Sequence, residues 1–249
     1  IRGSGHFSGR ITASLVFAGA IAKQLLKEKG ISVAAHIKSI KDIEDRDIEE
    51  KDITEENIEK LRNMVLPVFE EKKISEMEEL ILKAREDGDS IGGVIEVMAT
   101  GVPAGIGDPF FESMESELSR MIFSVPATKG IEFGAGFDIA QMTGYEANDE
   151  MYYDADGKVK SYTNNNGGIT GGITNGMPIS FKVAIKPPAS IEKKQKTVNL
   201  ETKMNDFLEV RGRHDPVIVP RAIVVLECAT AIVILDRLLE SQKNRGLQL

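Results

Sequence analysis

The sequence predicts an α+β fold. Two observations carry this: stretches of strict alternation, Ile31–Ile40 and Ile179–Ile185, and long segments apolar on a helical period, Ile11–Lys29 and Pro220–Leu239. A third is the abundance of glycine-rich turns between them, densest from Thr163 to Gly176, where fourteen residues hold five glycines and four asparagines. Such a stretch is neither a stable helix nor a packed strand, because glycine costs backbone entropy and asparagine favours turns. Ile169 and Ile173 nonetheless give it anchors, so it is expected to present bare N–H groups to an anion or a flat cofactor. The plainer alternative is a glycine-rich hairpin joining two strands.

Taken in order, Ile11–Lys29 carries Leu15, Val16, Phe17, Ile21, Leu25 and Leu26 on most faces and stops at Gly30, which predicts a buried helix. Its first turn follows Ser8, Gly9 and Arg10, either as a phosphate site at a helix amino terminus or as a simple cap by Thr12. The alternation Ile31, Val33, Ala35, Ile37 predicts a half-buried strand with His36 on its polar, surface side. Residues 41–89 turn charged and helical, with helices opening at Thr54 and Ser75, and read as an acidic, solvated peripheral element without a catalytic role. Ile91–Thr100 is a strand in which Gly92 and Gly93 signal a bulge or close backbone approach.

After the rigid turn Gly101–Pro109 come an amphipathic helix over Ser113–Phe123, a break at Pro126, and a strand over Ala127–Phe133 that ends in the tight turn Gly134-Ala135-Gly136. Residues 146–162 read as polar and mobile, with a turn at Asp154–Gly157. Ile179–Ile185 is a strand stopped by Pro187 and Pro188, which hold Lys186 at its exit, either to meet a ligand or simply in solvent. Cys228, inside the last helix, reads as core and not as a nucleophile.

Composition narrows the function classes. The chain of 249 residues has a net charge of −8, which argues against a general nucleic-acid binder and requires any anionic ligand to be held by locally placed Arg and Lys. One cysteine excludes an internal disulfide framework, and nothing at the start resembles a signal peptide, so a soluble cytoplasmic protein is expected. The three histidines are isolated, so no metal site is expected, and neither a Walker A sequence nor a GxGxxG turn is present. What remains are cations at element ends: Arg10, Lys186, Arg211 and Arg213, the last beside His214 and Asp215.

Over essentially the whole chain the sequence resembles the chorismate synthase family. The resemblance rests on Gly101–Gly107, Pro126–Phe137, Thr163–Gly176 and Gly212–Ala222, four long motifs in the right order. It implies one domain over residues 1–249, with helices sandwiched between antiparallel sheets, in a homotetramer. It also implies a lyase that converts 5-enolpyruvylshikimate 3-phosphate into chorismate and phosphate in aromatic amino-acid biosynthesis. Reduced FMN is required although no net redox change occurs, and it is supplied either by the enzyme itself with NADPH or from outside.

By position, the resemblance assigns Ser8, Arg10 and Arg213 to the substrate. It assigns His6, Phe7, Ser8, Pro126, Ala127, Gly171, Lys186, Pro187, Pro188, Ala189, Ser190 and Arg213 to the flavin. Asp215 would lie near flavin N5 and tune electrostatically the proton transfer that accompanies loss of phosphate. Guanidinium groups suit a substrate bearing a phosphate and two carboxylates.

Two positions depart from the family pattern. Gly5-His6-Phe7-Ser8-Gly9-Arg10 stands where Gly-Arg-Ser-Ser-Ala-Arg is usual, and Asn166 stands where alanine is usual. The resemblance further implies an amino-terminal section of on the order of a hundred residues, with two functional histidines and substrate arginines, that is not in this sequence. Without it, the alternatives are an inactive oligomeric scaffold of the same fold with weak or no flavin binding, and a non-enzymatic binder of a phosphorylated ligand.

Overall fold

The computed structural model describes residues 8–210, 212 and 214–246, with side chains to residue 242. In chain order the elements are α1 (Ala13–Lys27), β1 (Ser32–Ile40), β2 (Ile43–Glu44), α2 (Glu55–Asn63), α3 (Lys72–Glu86), β3 (Gly93–Thr100), α4 (Met114–Ser124), β4 (Thr128–Phe133), α5 (Gly144–Ala147), β5 (Met151–Tyr153), β6 (Val159–Ser161), β7 (Ile169–Thr170), β8 (Ile173–Thr174), β9 (Ile179–Ile185), β10 (Gln195–Asn199), β11 (Met204–Leu208) and α6 (Val219–Gly246). The expected α+β class is what the structure shows, and every described sheet is antiparallel.

The main sheet has the order β2-β1-β3-β9-β4. Period-two alternation sends Val33, Ala35 and Ile37 of β1, Ile95 and Val97 of β3, and Phe181 and Val183 of β9 to one face, where they join Ala22 and Leu26 of α1, Leu118 and Ile122 of α4, and Leu226 and Ala229 of α6 in one core. The α1 and α6 helices touch closely enough that a methyl at Gly19 would overlap Cys228. Cys228 is buried core, as expected, and burial pushes its thiol above the ordinary value. No helix among the described residues is long and apolar enough to cross a membrane.

Several expectations need correction. First, β1 is buried on both faces rather than half-buried, because residues 45–69 cover the face away from the helices: Ala34 and Met98 pack there with Ile48, Ile58 and Phe69. The acidic section is therefore peripheral in sequence composition but has an apolar underside. Second, α1 buries only Gly19, Ala22 and Leu26, while Phe17 is 73% exposed and Ile21 and Leu25 are also open. Apolar residues on most of its faces predicted burial all round, but only one face has a partner among the described residues. Third, Ser75 does not open α3, which begins at Lys72, and Thr12 makes no cap hydrogen bond for α1. Thr54 does cap α2, accepting from the Asn57 N–H. Fourth, the polar segment 146–162 is the paired hairpin β5–β6, closed by Asp154 accepting from the N–H groups of Asp156 and Lys158.

His36 overturns the surface reading most sharply. It is fully buried, with Nδ1 3.1 Å from Asp45 Oδ2 and Nε2 2.9 Å from Glu96 Oε2. Both ring nitrogens face carboxylates, so the imidazolium satisfies both. Asp45 also accepts from the N–H groups of Phe69 and Glu70, and Glu96 from that of Ile48, so one cation stitches the covering segment to the sheet. Burial lowers the His36 pKa, but hydrogen bonds and charge from Asp45 and Glu96 outweigh it and raise the group above 6.5. For Asp45 burial acts upward, and the bonds from His36, Phe69 and Glu70 carry it below its ordinary value.

The stability contributed by His36 is thus complete below about pH 6.5 and lost as pH rises through the folded-state value; that of Asp45 is lost as pH falls through its own. The melting temperature is expected to fall from neutral to alkaline pH, and His36→Gln to abolish that slope. The same substitution leaves two buried carboxylates unmatched and is expected to cost roughly 3–5 kcal/mol at pH 6, measured by urea unfolding. Gly19→Ala, which forces α1 off α6, is expected to cost about 1–3 kcal/mol in the same assay.

Candidate functional site

The exit of β9 is the best-built corner of the predicted site. Thr128 of β4 pairs with Ile185, and the next residue, Lys186, donates its N–H to Ala127 O at 2.9 Å. Ala127 adopts φ 75, a left-handed conformation that costs a residue with a Cβ roughly 1–2 kcal/mol and persists only where its surroundings impose it. Pro126 and the β4–β9 pairing impose it here. The sequence's separate signals at Pro126, Ala127 and Lys186 therefore meet at one point.

The following prolines are fixed as well. Ser90 Oγ donates to Pro188 O at 2.6 Å, and Gly92 has no side chain because any Cβ there would strike Ile185 O and Pro187. This is the close backbone approach that Gly92-Gly93 signals in the sequence. Gly93 likewise abuts Ser39 O across the sheet. The Lys186 side chain is exposed and has no carboxylate partner among the described residues, so its ammonium stands open above this rigid turn. Ala189 and Ser190 continue the exposed edge.

Asp215 reaches the same neighbourhood through Pro216, whose carbonyl accepts from the Ile91 N–H at 2.8 Å, one residue from both Ser90 and Gly92. Its carboxylate is exposed and pairs with Arg221 on the first turn of α6, Nη1 to Oδ2 2.6 Å. His214 is held by Nε2 at 2.8 Å from Val210 O. Arg213 and Arg211, with His6 and Phe7, lie outside the described residues.

The glycine-rich segment sits elsewhere. It forms the hairpin β7–β8 at the other end of β9, which resolves the two sequence readings largely in favour of the hairpin. Most of its backbone donors are internally engaged: Gly167 N–H to Asn164 O, Gly168 N–H to Asn164 Oδ1, Asn175 N–H to Gly168 O and Thr174 N–H to Ile106 O. Its expected role as an array of bare N–H groups is thus reduced to the tip, where Gly171 is exposed, takes φ 62 and has no neighbour where a Cβ would lie. Gly172 O accepts from Met114 N–H at the start of α4, so the tip is tied to the turn before that helix.

β9, seven residues and about 20 Å long, runs from the seat of the glycine-rich segment at Pro178 and Ser180 to Lys186. α4, eleven residues and about 16 Å long, runs from Met114, bonded to Gly172 O, toward Ala127. Ser8 and Arg10 form a third locus at the entry to α1: the Ser8 hydroxyl accepts from Arg10 N at 3.2 Å and Nη1 at 3.4 Å, and the guanidinium is exposed. Ser8 thus fixes the first turn, a capping role that the sequence reading gave to Thr12. Among the described residues no His, Cys, Asp and Glu cluster could hold a metal ion.

A family model described as chorismate synthase matches residues 1–239. The chain belongs to the chorismate synthase family. It is 47% identical over 239 residues to the chorismate synthase of Methanobrevibacter smithii, covering 96% of this chain and 64% of that protein. The chorismate synthase of Methanocaldococcus jannaschii is 45% identical over 247 residues, with 96% and 65% covered. A solved chorismate synthase crystal structure superposes with a TM-score of 0.75 at 32% identity, over 94% of this chain and 65% of that one. The chain spans somewhat less than two thirds of the length of these chorismate synthases.

Sequence reasoning missed two residues that shape these loops: Ser90, which locks Pro188, and Asp149, which holds residues 163–166 of the glycine-rich segment. Neither lies in a motif, and both act through contacts distant in sequence. Since Ala127 is already strained, Ala127→Val is expected to lower the melting temperature by several degrees, at a further cost of about 1–3 kcal/mol, while Ala127→Gly leaves it unchanged or higher.

Proposed function

We propose that the complete protein is a chorismate synthase, a carbon–oxygen lyase that eliminates phosphate from 5-enolpyruvylshikimate 3-phosphate using reduced FMN. Family membership across residues 1–239 is the observation that carries this reading. The geometry supports it: Lys186, Ala127, the Ser90-locked prolines and Asp215 gather at one corner, and the cation there is open to solvent. A preformed turn whose ammonium has no carboxylate partner among the described residues suits an anionic cofactor, because no reorganisation is needed before the charges meet.

In this reading Pro126, Ala127 and Lys186 through Ser190 hold the flavin. When bound, the reduced flavin would supply electron density toward the carbon losing phosphate. Arg10, backed by the Ser8 hydroxyl, is the described guanidinium available to the substrate phosphate, and Arg213 is proposed for both ligands. Asp215 keeps a carboxylate beside the reaction, its charge partly matched by Arg221, and acts electrostatically on the departing proton.

Gly171 contributes from the far end of β9. The distance between that end and Lys186 fits the proposal of a homotetramer, in which neighbouring copies bring different loops together. Exposed Phe110, Phe111, Phe137, Tyr145 and Tyr153 supply apolar surface for such contacts. A cytoplasmic location and use of NADPH or an outside reductant accompany this proposal.

Anaerobic incubation of the complete natural protein with FMN, dithionite and 5-enolpyruvylshikimate 3-phosphate is expected to release phosphate stoichiometrically with chorismate. No phosphate release sinks the proposal; failure to bind FMN then favours the inactive scaffold, and ligand bound and returned unchanged favours the non-enzymatic binder. Lys186→Met is expected to weaken FMN binding about tenfold or more, the worth of one charged contact. Asp215→Asn is expected to lower kcat on the order of a hundredfold with FMN affinity nearly unchanged, measured by chorismate absorbance and flavin titration.

A further inference from the structure

The hairpin that carries Gly171 has no core of its own: β7 and β8 are two residues each, and the segment around them is glycine and asparagine. Paired strands this short are not stable in water alone, so something outside the segment must fix it. In the hairpin, Ile169 is buried in the main core and Gly172 and Thr174 are bonded to residues 103–114; before it, residues 163–166 are held by a single carboxylate. Asp149 Oδ1 accepts from the Thr163 hydroxyl at 2.7 Å and the Asn165 N–H at 2.7 Å, while Oδ2 accepts from the Asn166 N–H at 3.0 Å and from Asn166 Nδ2 at 2.8 Å. Four donors saturate the two oxygens, and no lysine or arginine pairs with Asp149 among the described residues.

From this point the constraint is handed on by short, rigid links. Asn164 spans the base of the segment, with Oδ1 accepting from Gly168 N–H and Nδ2 donating to Pro178 O. Ala135 N–H donates to Asn165 O, and Ser180 N–H donates to Gly167 O, which seats the segment on the end of β4 and β9. The seat is tight, since a Cβ at Gly134 would overlap Asn165 O and one at Gly168 would overlap Pro178 O. Gly171 projects from this platform into open space.

We propose that Asp149 is a positioning residue for the flavin, ordering the amino-terminal half of the glycine-rich segment that leads to Gly171; this rests on the chorismate synthase reading of the site. Burial works upward on the Asp149 carboxyl, but the bonds from Thr163, Asn166 and Asn165 hold it below the ordinary carboxylate value, so the anchor stays ionised at neutral pH. Asparagine at this position has one amide oxygen and turns an NH2 toward the donors of Asn166, so it fits the space but not the hydrogen bonds. Asn166 adds a side-chain donor that an alanine at its position lacks.

The test uses the complete natural protein with oxidised FMN as probe, titrated by flavin fluorescence and absorbance, with amide hydrogen exchange read at Asn165 and Asn166. Asp149→Asn is expected to speed exchange at both amides, weaken FMN binding about tenfold and shift the visible spectrum of the flavin that still binds. A purely structural defect lowers the amount bound without altering that spectrum. Should Asp149→Asn fail to fold, Thr163→Val removes one donor and leaves the charge in place; it is expected to weaken binding about threefold with faster exchange at Asn165. FMN affinity and spectrum unchanged in the folded variants overturn the proposal alone. Failure of the wild-type protein to bind FMN overturns the flavin reading and the proposal with it.

Discussion

Strand β9 buries Ile179, Phe181, Val183 and Ile185 on the helix side of the sheet, between β3 on one edge and β4 on the other. Every locus described for the site except the entry to α1 depends on this packing. The amino-terminal end of β9 receives the glycine-rich segment through Pro178 and Ser180, and its carboxy-terminal end delivers Lys186 against Ala127. A strand paired on both edges and buried on alternate residues is a stiff spacer, and it fixes two sets of turns at a set separation. The same pairing forces Ala127 into its left-handed conformation, so local strain beside Lys186 is maintained by distributed burial.

The opposite face of the sheet shows how an acidic chain manages its charge. His36, Glu96, Lys182 and Glu132 form a row across β1, β3, β9 and β4, and the segment after β2 lays Asp45 and Asp47 over it. Carboxylates so placed would destabilise one another in a low-dielectric setting. The imidazolium of His36 and the ammonium of Lys182 interleave with them and make the row coherent. Burial acts upward on Asp47, and its bonds to Lys182 and Lys38 reverse it, the same pattern as at Asp45. These carboxylates are engaged in structure behind the sheet, while Lys186 and Arg10 remain exposed.

Backbone proximity plays a comparable part on the helix side. Gly19 admits α6 against α1, and below that contact Glu227 draws in Lys23 and accepts from the Ala35 N–H, joining both helices to β1. One carboxylate thereby ties three elements, as Asp149 does for the glycine-rich segment. In both cases the anchoring side chain is far in sequence from the groups it orders.

The sequence by itself determined the class, most of the strands and helices, and the family. Alternation marked β9 to the residue, because one face of it is buried and the other is not. The glycines at 92 and 93 announced a close backbone approach that the structure contains, since neither position has room for a Cβ. Tertiary structure alone decided what depends on a partner distant in the chain. His36 alternates with apolar residues as a surface histidine would, and only the folding of residues 45–69 over it makes it a buried cation. Nothing local distinguishes Asp149 or Ser90 from other polar loop residues. Their roles arise because hydrogen-bond geometry is set by the meeting of segments, and composition and period report only on each segment's own neighbours.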